Sequence, residues 1–291
     1  MSGFRYQSDL RRITSTKNNN EQQSTGKTSM ATKGRWKTAL TYGDRDSVVI
    51  RGYSLGELVG KVSFAEAFLL LARGELPPPG HAKTLEAMLV SVLDHGIVPS
   101  SIVTRYLASS GTPIQAAVAG GILAFGDIYG GACQQLAERL VQHRPLIDSG
   151  KQTVETAAKE IVQHFALRKE RVPGYGHALH PEGDPRVPKL YAIADDNGVT
   201  GGYSKLAFAV QDELGRAKKR ALPMNQDGAL AALGLDMGLD WQIVRALAFI
   251  PRSAGLAVHA VEEMTREDGW RHVPDDEVDY DGPPLRPLNR G

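Results

Sequence analysis

The sequence predicts an all-α, multihelical fold preceded by a short β-hairpin. Three observations predict it. β-prone runs are confined to the region before about residue 52, apolar residues recur at helical spacing through most of the rest, and the segments so marked carry helix start and stop residues. Lys37–Leu40 and Val48–Arg51 flank the turn-rich Gly43-Asp44-Arg45-Asp46 and read as the two strands. Ser63-Phe64-Ala65-Glu66 is a capping box, in which the serine and glutamate side chains each satisfy a backbone N–H of the first turn. Gly74 closes that helix, and Pro77-Pro78-Pro79 prevents its continuation. Further helices are predicted over 81–94, 99–110, 113–125, 130–143, 150–167, 185–197, 203–219, 226–237 and 240–265. Ile114–Phe125 and Ala246–Ala260 are apolar around most of their circumference, which calls for burial in a multilayer body or at a subunit interface.

Bulk properties narrow the function. The 291 residues are 42% hydrophobic and 23% charged with a net charge of +1, an ordinary globular balance that offers no bulk attraction to nucleic acid or to a membrane surface. No uninterrupted run of 18 apolar residues is present, so no membrane-spanning helix is expected. The start of the chain has no apolar signal region, and the single cysteine, Cys133, leaves neither an internal disulfide nor a Cys-rich metal site; a cytoplasmic location fits both. Residues 1–34, rich in Ser, Thr, Asn, Gln, Lys and Arg, read as a flexible tail. A large helical domain is expected from 35–167 and 223–291. Between them 168–222, glycine-rich and bounded by Arg168-Lys169-Glu170-Arg171 and Lys218-Lys219-Arg220, reads as a small mobile subdomain able to enclose a substrate.

The chemistry concentrates in three islands. In Val172-Pro173-Gly174-Tyr175-Gly176-His177, the glycines permit unusual backbone angles and close approach of a ligand beside a histidine that exchanges protons near neutral pH. The same loop runs on through His180 and Asp184-Pro185 to Arg186, which falls at a helix N-terminus, where backbone amides favour anions. His177, His180 and Asp184 are the only conceivable metal set, and three residues on one Gly/Pro-rich loop without a second cluster argue for no metal. Asp227, in Asn225-Gln226-Asp227, is either a catalytic acid or an ordinary helix cap. Arg252 lies within an apolar helix that also carries His259, Glu262 and Glu263; a guanidinium buried there needs a carboxylate, and a substrate carboxylate bound by a bidentate fork would serve.

The order of these islands resembles the citrate synthase family. Ile50-Arg51-Gly52-Tyr53-Ser54-Leu55, Gly74-Glu75-Leu76-Pro77 and Asp94-His95-Gly96 extend the likeness over about 36–275. The family's Gly-Pro-Leu-His-Gly-Gly segment is replaced by Gly126-Asp127-Ile128-Tyr129-Gly130-Gly131-Ala132, so Tyr129 stands where the family has a catalytic histidine. That variant, with Asn225-Gln226-Asp227-Gly228 and Trp270-Arg271-His272-Val273-Pro274-Asp275-Asp276, is similar to the citryl-CoA lyase module at the C-terminal end of ATP-citrate lyase.

The resemblance implies a citrate synthase-like fold and a homodimer or higher homo-oligomer. It also implies that coenzyme A enters as part of the substrate, with no permanently bound cofactor. The implied reaction cleaves citryl-CoA, or a close analogue, to acetyl-CoA and oxaloacetate by a retro-aldol or Claisen-type step. His177 then takes the hydroxyl proton, Asp227 protonates the enolate carbon, and Tyr129 or a backbone amide near Gly130 or Gly131 donates to the enolate oxygen. Arg186, Arg252 and His95 bind carboxylates, and Arg271 is the arginine contributed by a neighbouring subunit. Pro173, Gly174, Tyr175, Gly176 and Lys189 contact CoA. Two alternatives stay open: a citrate or methylcitrate synthase, and a catalytically silent member that binds CoA or citrate.

Overall fold

The computed structural model describes residues 36–177 and 180–288. The expected tail 1–34 lies outside the described residues. The chain divides into Met1–Thr38 and a helical body, Ala39–Gly291.

The body opens with a three-stranded antiparallel sheet in the order β1 (Thr41–Gly43), β2 (Val48–Ile50), β3 (Tyr53–Ser54). The turn residues fall where the sequence puts them, but the first strand is 41–43 and not 37–40. The Asp44 side chain sets the register by accepting the N–H groups of Asp46 (3.0 Å) and Ser47 (2.8 Å). Gly43 and Val48 then face each other, and strand pairing runs back from that point. The third strand and the single turn α1 (Leu55–Leu58) are additions to the expected hairpin.

Eleven further helices follow among the described residues: α2 (Phe64–Arg73), α3 (Pro79–Ser91), α4 (Pro99–Ser109), α5 (Ile114–Leu123), α6 (Ala132–Asp148), α7 (Val154–Leu167), α8 (Arg186–Asp196), α9 (Gly202–Lys218), α10 (Gln226–Asp236), α11 (Trp241–Val244) and α12 (Ala246–Arg266). The reciprocal capping box at Ser63 and Glu66 and the left-handed Gly74 (φ 91°) bound α2 as expected. Helix α6 continues past Pro145 to Asp148, and the expected helix over 240–265 divides into α11 and α12 at Arg245.

Helix α10 is the centre of the body: Leu230 and Leu233 are fully buried among α6, α8, α9 and α11. Each such side chain contributes roughly 1.5–3 kcal/mol by leaving water. Helix α5 is not enclosed by the helical body, which leaves the second of the two expected settings, a subunit interface. It packs on α4 and α12, yet only Ala117 and Gly121 are buried in it and Leu123 is 83% exposed. Its all-round apolar character is therefore not used inside this chain.

Trp241–Arg266, 26 residues, contains an 18-residue window with a mean hydropathy of 1.2, which by length and composition alone is enough to cross a membrane. Arg245 and Arg252 interrupt any continuous apolar run, whereas an average over the window tolerates both. The helix nonetheless buries Arg252 and Glu263 against protein groups and packs on α3, α4 and α5, which is how a core helix is used.

Candidate active site

The end of α3 organises the site. A helix C-terminus leaves carbonyls without intrahelical partners and carries partial negative charge, which suits a cation. Two arginines take up the two carbonyls at this end: Arg252 Nε donates to Val92 O at 3.0 Å, and Arg186 Nη1 donates to Ser91 O at 3.3 Å. Arg252, from the middle of α12, is 7% exposed. Its other protein partner is the Tyr129 hydroxyl, 3.4 Å from Nη1. Among the described residues no carboxylate lies within ion-pair distance of Arg252.

Arg186 opens α8, as the sequence indicates, but it is held by its own neighbour. Nε and Nη2 donate to the two Asp184 oxygens at 2.9 and 2.7 Å, a bidentate fork. The same carboxylate accepts the backbone N–H of Arg186 (3.1 Å) and of Gln226 (3.0 Å), so one anion caps the N-termini of both α8 and α10. Burial alone would raise the Asp184 carboxyl; Arg186 and the Gln226 amide outweigh it and hold it at about 2. These bonds leave Asp184 without the open oxygens that a metal set with His177 and His180 would need. The described residues contain no cluster of three His, Cys, Asp or Glu that could hold a metal ion.

Asp227 is not the cap of α10. Asn225 is: its Oδ1 accepts the Gly228 N–H at 3.2 Å. The Asp227 carboxyl is left to line the cavity. Asn225 also stitches the His177 loop to the helix, its Nδ2 donating to Gly176 O (2.7 Å) and its backbone N–H to Gly174 O (2.9 Å). Gly176 N–H donates to Pro223 O at 2.7 Å. Gly174 has φ +86°, and a Cβ there would come within 2.9 Å of Gly228 Cα and 2.8 Å of Leu136 Cδ2. The glycines thus serve close approach of backbone to backbone, where the sequence suggests approach to a ligand.

His95, Tyr129, His177, Arg186, Asp227 and Arg252 all line one cavity of about 230 Å³, closed on its apolar side by Val92, Phe125 and Leu230. The Tyr129 ring rests on Phe125 (centroids 5.0 Å apart), and its hydroxyl sits 3.0 Å from Ser100 Oγ. Gly130 borders the cavity and Gly131 is the N-cap residue of α6. The His95 loop is braced from α12: Asp94 accepts the Gly96 N–H (2.9 Å) and pairs with His259 Nε2 (2.9 Å). His177 and His180 stack with ring centroids 4.7 Å apart.

Other expected residues fall elsewhere. Tyr175 donates its hydroxyl to Ala207 O at 2.7 Å, and the Gly174 and Gly176 backbone groups are bonded to 223–225, so this loop offers few unpaired groups to a ligand. Pro173 is half-buried beside them, and Lys189 is exposed on α8 away from the cavity lining. Arg271 is not brought to the cavity of its own chain. It forks onto Glu263, a carboxylate 1% exposed that also receives Arg105 Nε at 2.7 Å, and its backbone N–H donates to Ser109 Oγ at 3.0 Å.

Burial holds the His177 imidazole below its ordinary value; Asp184 opposes that shift, while His180 and Arg186 add to it. His95 is lowered likewise, by burial and then by Arg186 and Arg252. Burial pushes the Asp227 carboxyl up, against the pull of Arg186. The cavity therefore pairs a neutral imidazole with a carboxyl inclined to keep its proton, under two guanidinium groups. That set can move one proton at oxygen and another at carbon while anchoring carboxylates.

Sequence reasoning missed Ser91, Ser100 and Gln226. Gln226 Nε2 donates to Ser91 Oγ at 2.6 Å, tying α10 to the end of α3. Nothing local marks these positions, because their roles depend on where separate helices meet.

Comparison with known proteins agrees with this geometry. Residues 77–272 match the family model "Citrate synthase, C-terminal domain". The solved structure of citryl-CoA lyase from Hydrogenobacter thermophilus superposes with a TM-score of 0.80 at 40% identity, covering 88% of this chain and 98% of that one. ATP citrate lyase from Methanosaeta concilii, solved with (3S)-citryl-CoA, has the same fold over 86% of this chain and 42% of its own (TM-score 0.72, 20% identity). A putative citrate synthase 2 of Mycobacterium tuberculosis is 28% identical over 201 residues, 67% of this chain and 51% of that protein, so the chain spans about half the length of such curated relatives. With a family model matched over most of its length and a 40%-identical relative covered almost end to end, the chain belongs to the citrate synthase family.

Proposed function

We propose that this protein cleaves (3S)-citryl-CoA, or a close analogue, to acetyl-CoA and oxaloacetate. The observation that carries the reading is Arg252, a buried guanidinium with no carboxylate partner among the described residues, in the same cavity as His177 and Asp227. Such a cation asks for an anionic ligand, and a citryl group brings carboxylates to it. His177, kept neutral, accepts the proton of the tertiary hydroxyl. The C–O bond becomes a carbonyl as the adjacent C–C bond breaks. The electron pair of that bond passes to the acetyl carbon, giving the enolate of acetyl-CoA and free oxaloacetate. Asp227, whose burial favours the protonated carboxyl, delivers a proton to that carbon. Arg186 and Arg252 hold carboxylates throughout, His95 adds a neutral hydrogen bond, and CoA arrives as part of the substrate.

The similarity to a citryl-CoA lyase along 98% of that chain supports cleavage. The kinship with putative citrate synthases supports a second reading, condensation of an acyl-CoA with oxaloacetate followed by thioester hydrolysis. One experiment separates them. Citryl-CoA is offered with malate dehydrogenase to detect oxaloacetate, and acetyl-CoA plus oxaloacetate is offered with a thiol reagent. Oxaloacetate without thiol release is expected; brisk thiol release with no cleavage would establish the synthase instead.

In this reading the working unit is a homodimer, and residues 168–222 are the part that closes over substrate. Val258, Val261 and Met264 on α12 and Ile114 and Leu123 on α5 are exposed apolar side chains that a second copy would cover, which supports the pairing.

A further inference from the structure

Ser100 is a residue that neither the resemblance nor the cavity lining singles out. It lies in the first turn of α4, fully buried, and the one side-chain partner of its Oγ is the Tyr129 hydroxyl at 3.0 Å. The Tyr129 oxygen also lies 3.4 Å from Arg252 Nη1. An arginine only donates, so Tyr129 is the acceptor in that bond. The contact with Ser100 can run either way, and the surroundings decide which. A buried donor without an acceptor costs about 1–3 kcal/mol, and orphaned donors are rarer than underused acceptors. Among the described residues the Ser100 proton has one acceptor, the Tyr129 oxygen. Tyr129, in contrast, lines the open cavity, where its proton can meet a ligand.

We propose that Ser100 is a positioning residue: its hydroxyl and Arg252 both donate to the Tyr129 oxygen, which turns the phenolic proton into the cavity as a donor to an anionic substrate oxygen. Resting on the enolate chemistry of the proposed function, the oxygen concerned is that of the acetyl-thioester enolate. When Asp227 takes a methyl proton in the reverse direction, the C–H pair becomes the C=C bond and the carbonyl pair moves to oxygen, where the Tyr129 O–H meets the charge. A phenol with its proton turned onto Ser100 would be unable to do this. The imidazole of the family pattern is thereby replaced by a phenol whose direction is set by a serine one helix away.

The test is a double-mutant cycle of Ser100→Ala and Tyr129→Phe in the intact protein, read two ways. One readout is citryl-CoA cleavage. The other is exchange of acetyl-CoA methyl protons with deuterated water in the presence of oxaloacetate, followed by NMR, which reports enolisation whether the protein works as lyase or synthase. Tyr129→Phe is expected to lower both rates by about 10²-fold, as for loss of one oxyanion donor. Ser100→Ala should lower them by about tenfold with little change in KM, and should have no further effect in the Tyr129→Phe background. Ser100→Cys keeps the volume and a weak donor and should fall between wild type and Ser100→Ala. Equal losses in both backgrounds, or no loss at all, would overturn the inference. A wild-type protein that exchanges protons but does not cleave citryl-CoA would overturn the lyase reading and leave this one to be judged on the cycle; one that does neither removes both.

Discussion

Arg252 carries two opposed consequences at the scale of one residue. Its guanidinium is buried against a carbonyl and a phenol, with no carboxylate among the described residues to neutralise it. Arg252→Met should therefore lower kcat/KM for citryl-CoA by about 10²–10³-fold, the expected cost of removing a buried charge partner. The same change should leave the melting temperature unaltered or higher, because an uncompensated buried charge is removed. A large loss of Tm would show that the residue is structural.

Asp184 makes the contrary case. Its carboxyl titrates at about 2 when folded against an ordinary 3.8. As the pH falls, the unfolded chain binds the proton first. The stabilisation is complete above about pH 4 and drains away as the pH approaches 2; it amounts to about 2 kcal/mol. Asp184→Asn should cost about that much in urea unfolding at pH 7, and the difference from wild type should vanish in acid.

For catalysis, the two shifts act together. A lowered His177 extends the neutral form to more acid pH, and a raised Asp227 extends the protonated form to more alkaline pH. Cleavage should give a bell-shaped kcat/KM profile. His180→Ala, which removes a group that lowers His177, should move the acid limb to higher pH.

His177, Arg186, Asp227 and Arg252 were legible in the sequence because each pairs a chemical type with a telling neighbour, whereas His95 and Tyr129 entered only through the family resemblance. Glycines precede His177, Pro185 precedes Arg186, Asp227 stands at the start of an apolar helix, and apolar helix surrounds Arg252. Ser91, Ser100 and Gln226 were not legible, since a hydroxyl or amide acquires meaning only when another helix delivers its partner.

At the scale of elements, caps and stops carried the most information. Ser63, Glu66 and Gly74 bound α2 as the local pattern demands, and Asn225 opens α10. Strand β1 moved because an Asp44 side chain, not β propensity, sets the register. Helix α5 was legible only in part. Periodicity reports that a helix is apolar on all sides but not what covers it, and among the described residues Leu123 stays 83% exposed, which leaves the subunit-interface alternative open. The loop from Gly174 to His177 gives the sharpest test at this scale. Gly174→Ala should destabilise the protein by roughly 1–3 kcal/mol, because a positive φ and two close contacts are both violated. It should also lower kcat more than a remote substitution of equal cost. Equal losses in activity for both would mean that the loop does not position His177.

At the scale of the whole molecule, the half-length match to curated citrate synthases and the near full-length match to a citryl-CoA lyase outline the helical scaffold the two share. The exposed apolar faces of α5 and α12 lead to a specific expectation. Sedimentation velocity should give a dimer, and Val258→Lys together with Val261→Lys should yield a folded monomer; a wild-type monomer at micromolar concentration would remove the pairing from the proposal.

The stitching of Gly174 and Gly176 to Pro223 and Asn225 bears on any closure of 168–222. His177 follows one end of that seam by a single residue, and Asp227 follows the other by two. A closing movement must carry the start of α10 along or tear those bonds open. In the proposed reaction, the proton acceptor and the proton donor thus behave like the jaws of a locked caliper. Their span is set when the chain folds, so adaptation to a longer or shorter acyl group has to come from the rest of the cavity lining, Tyr129 included.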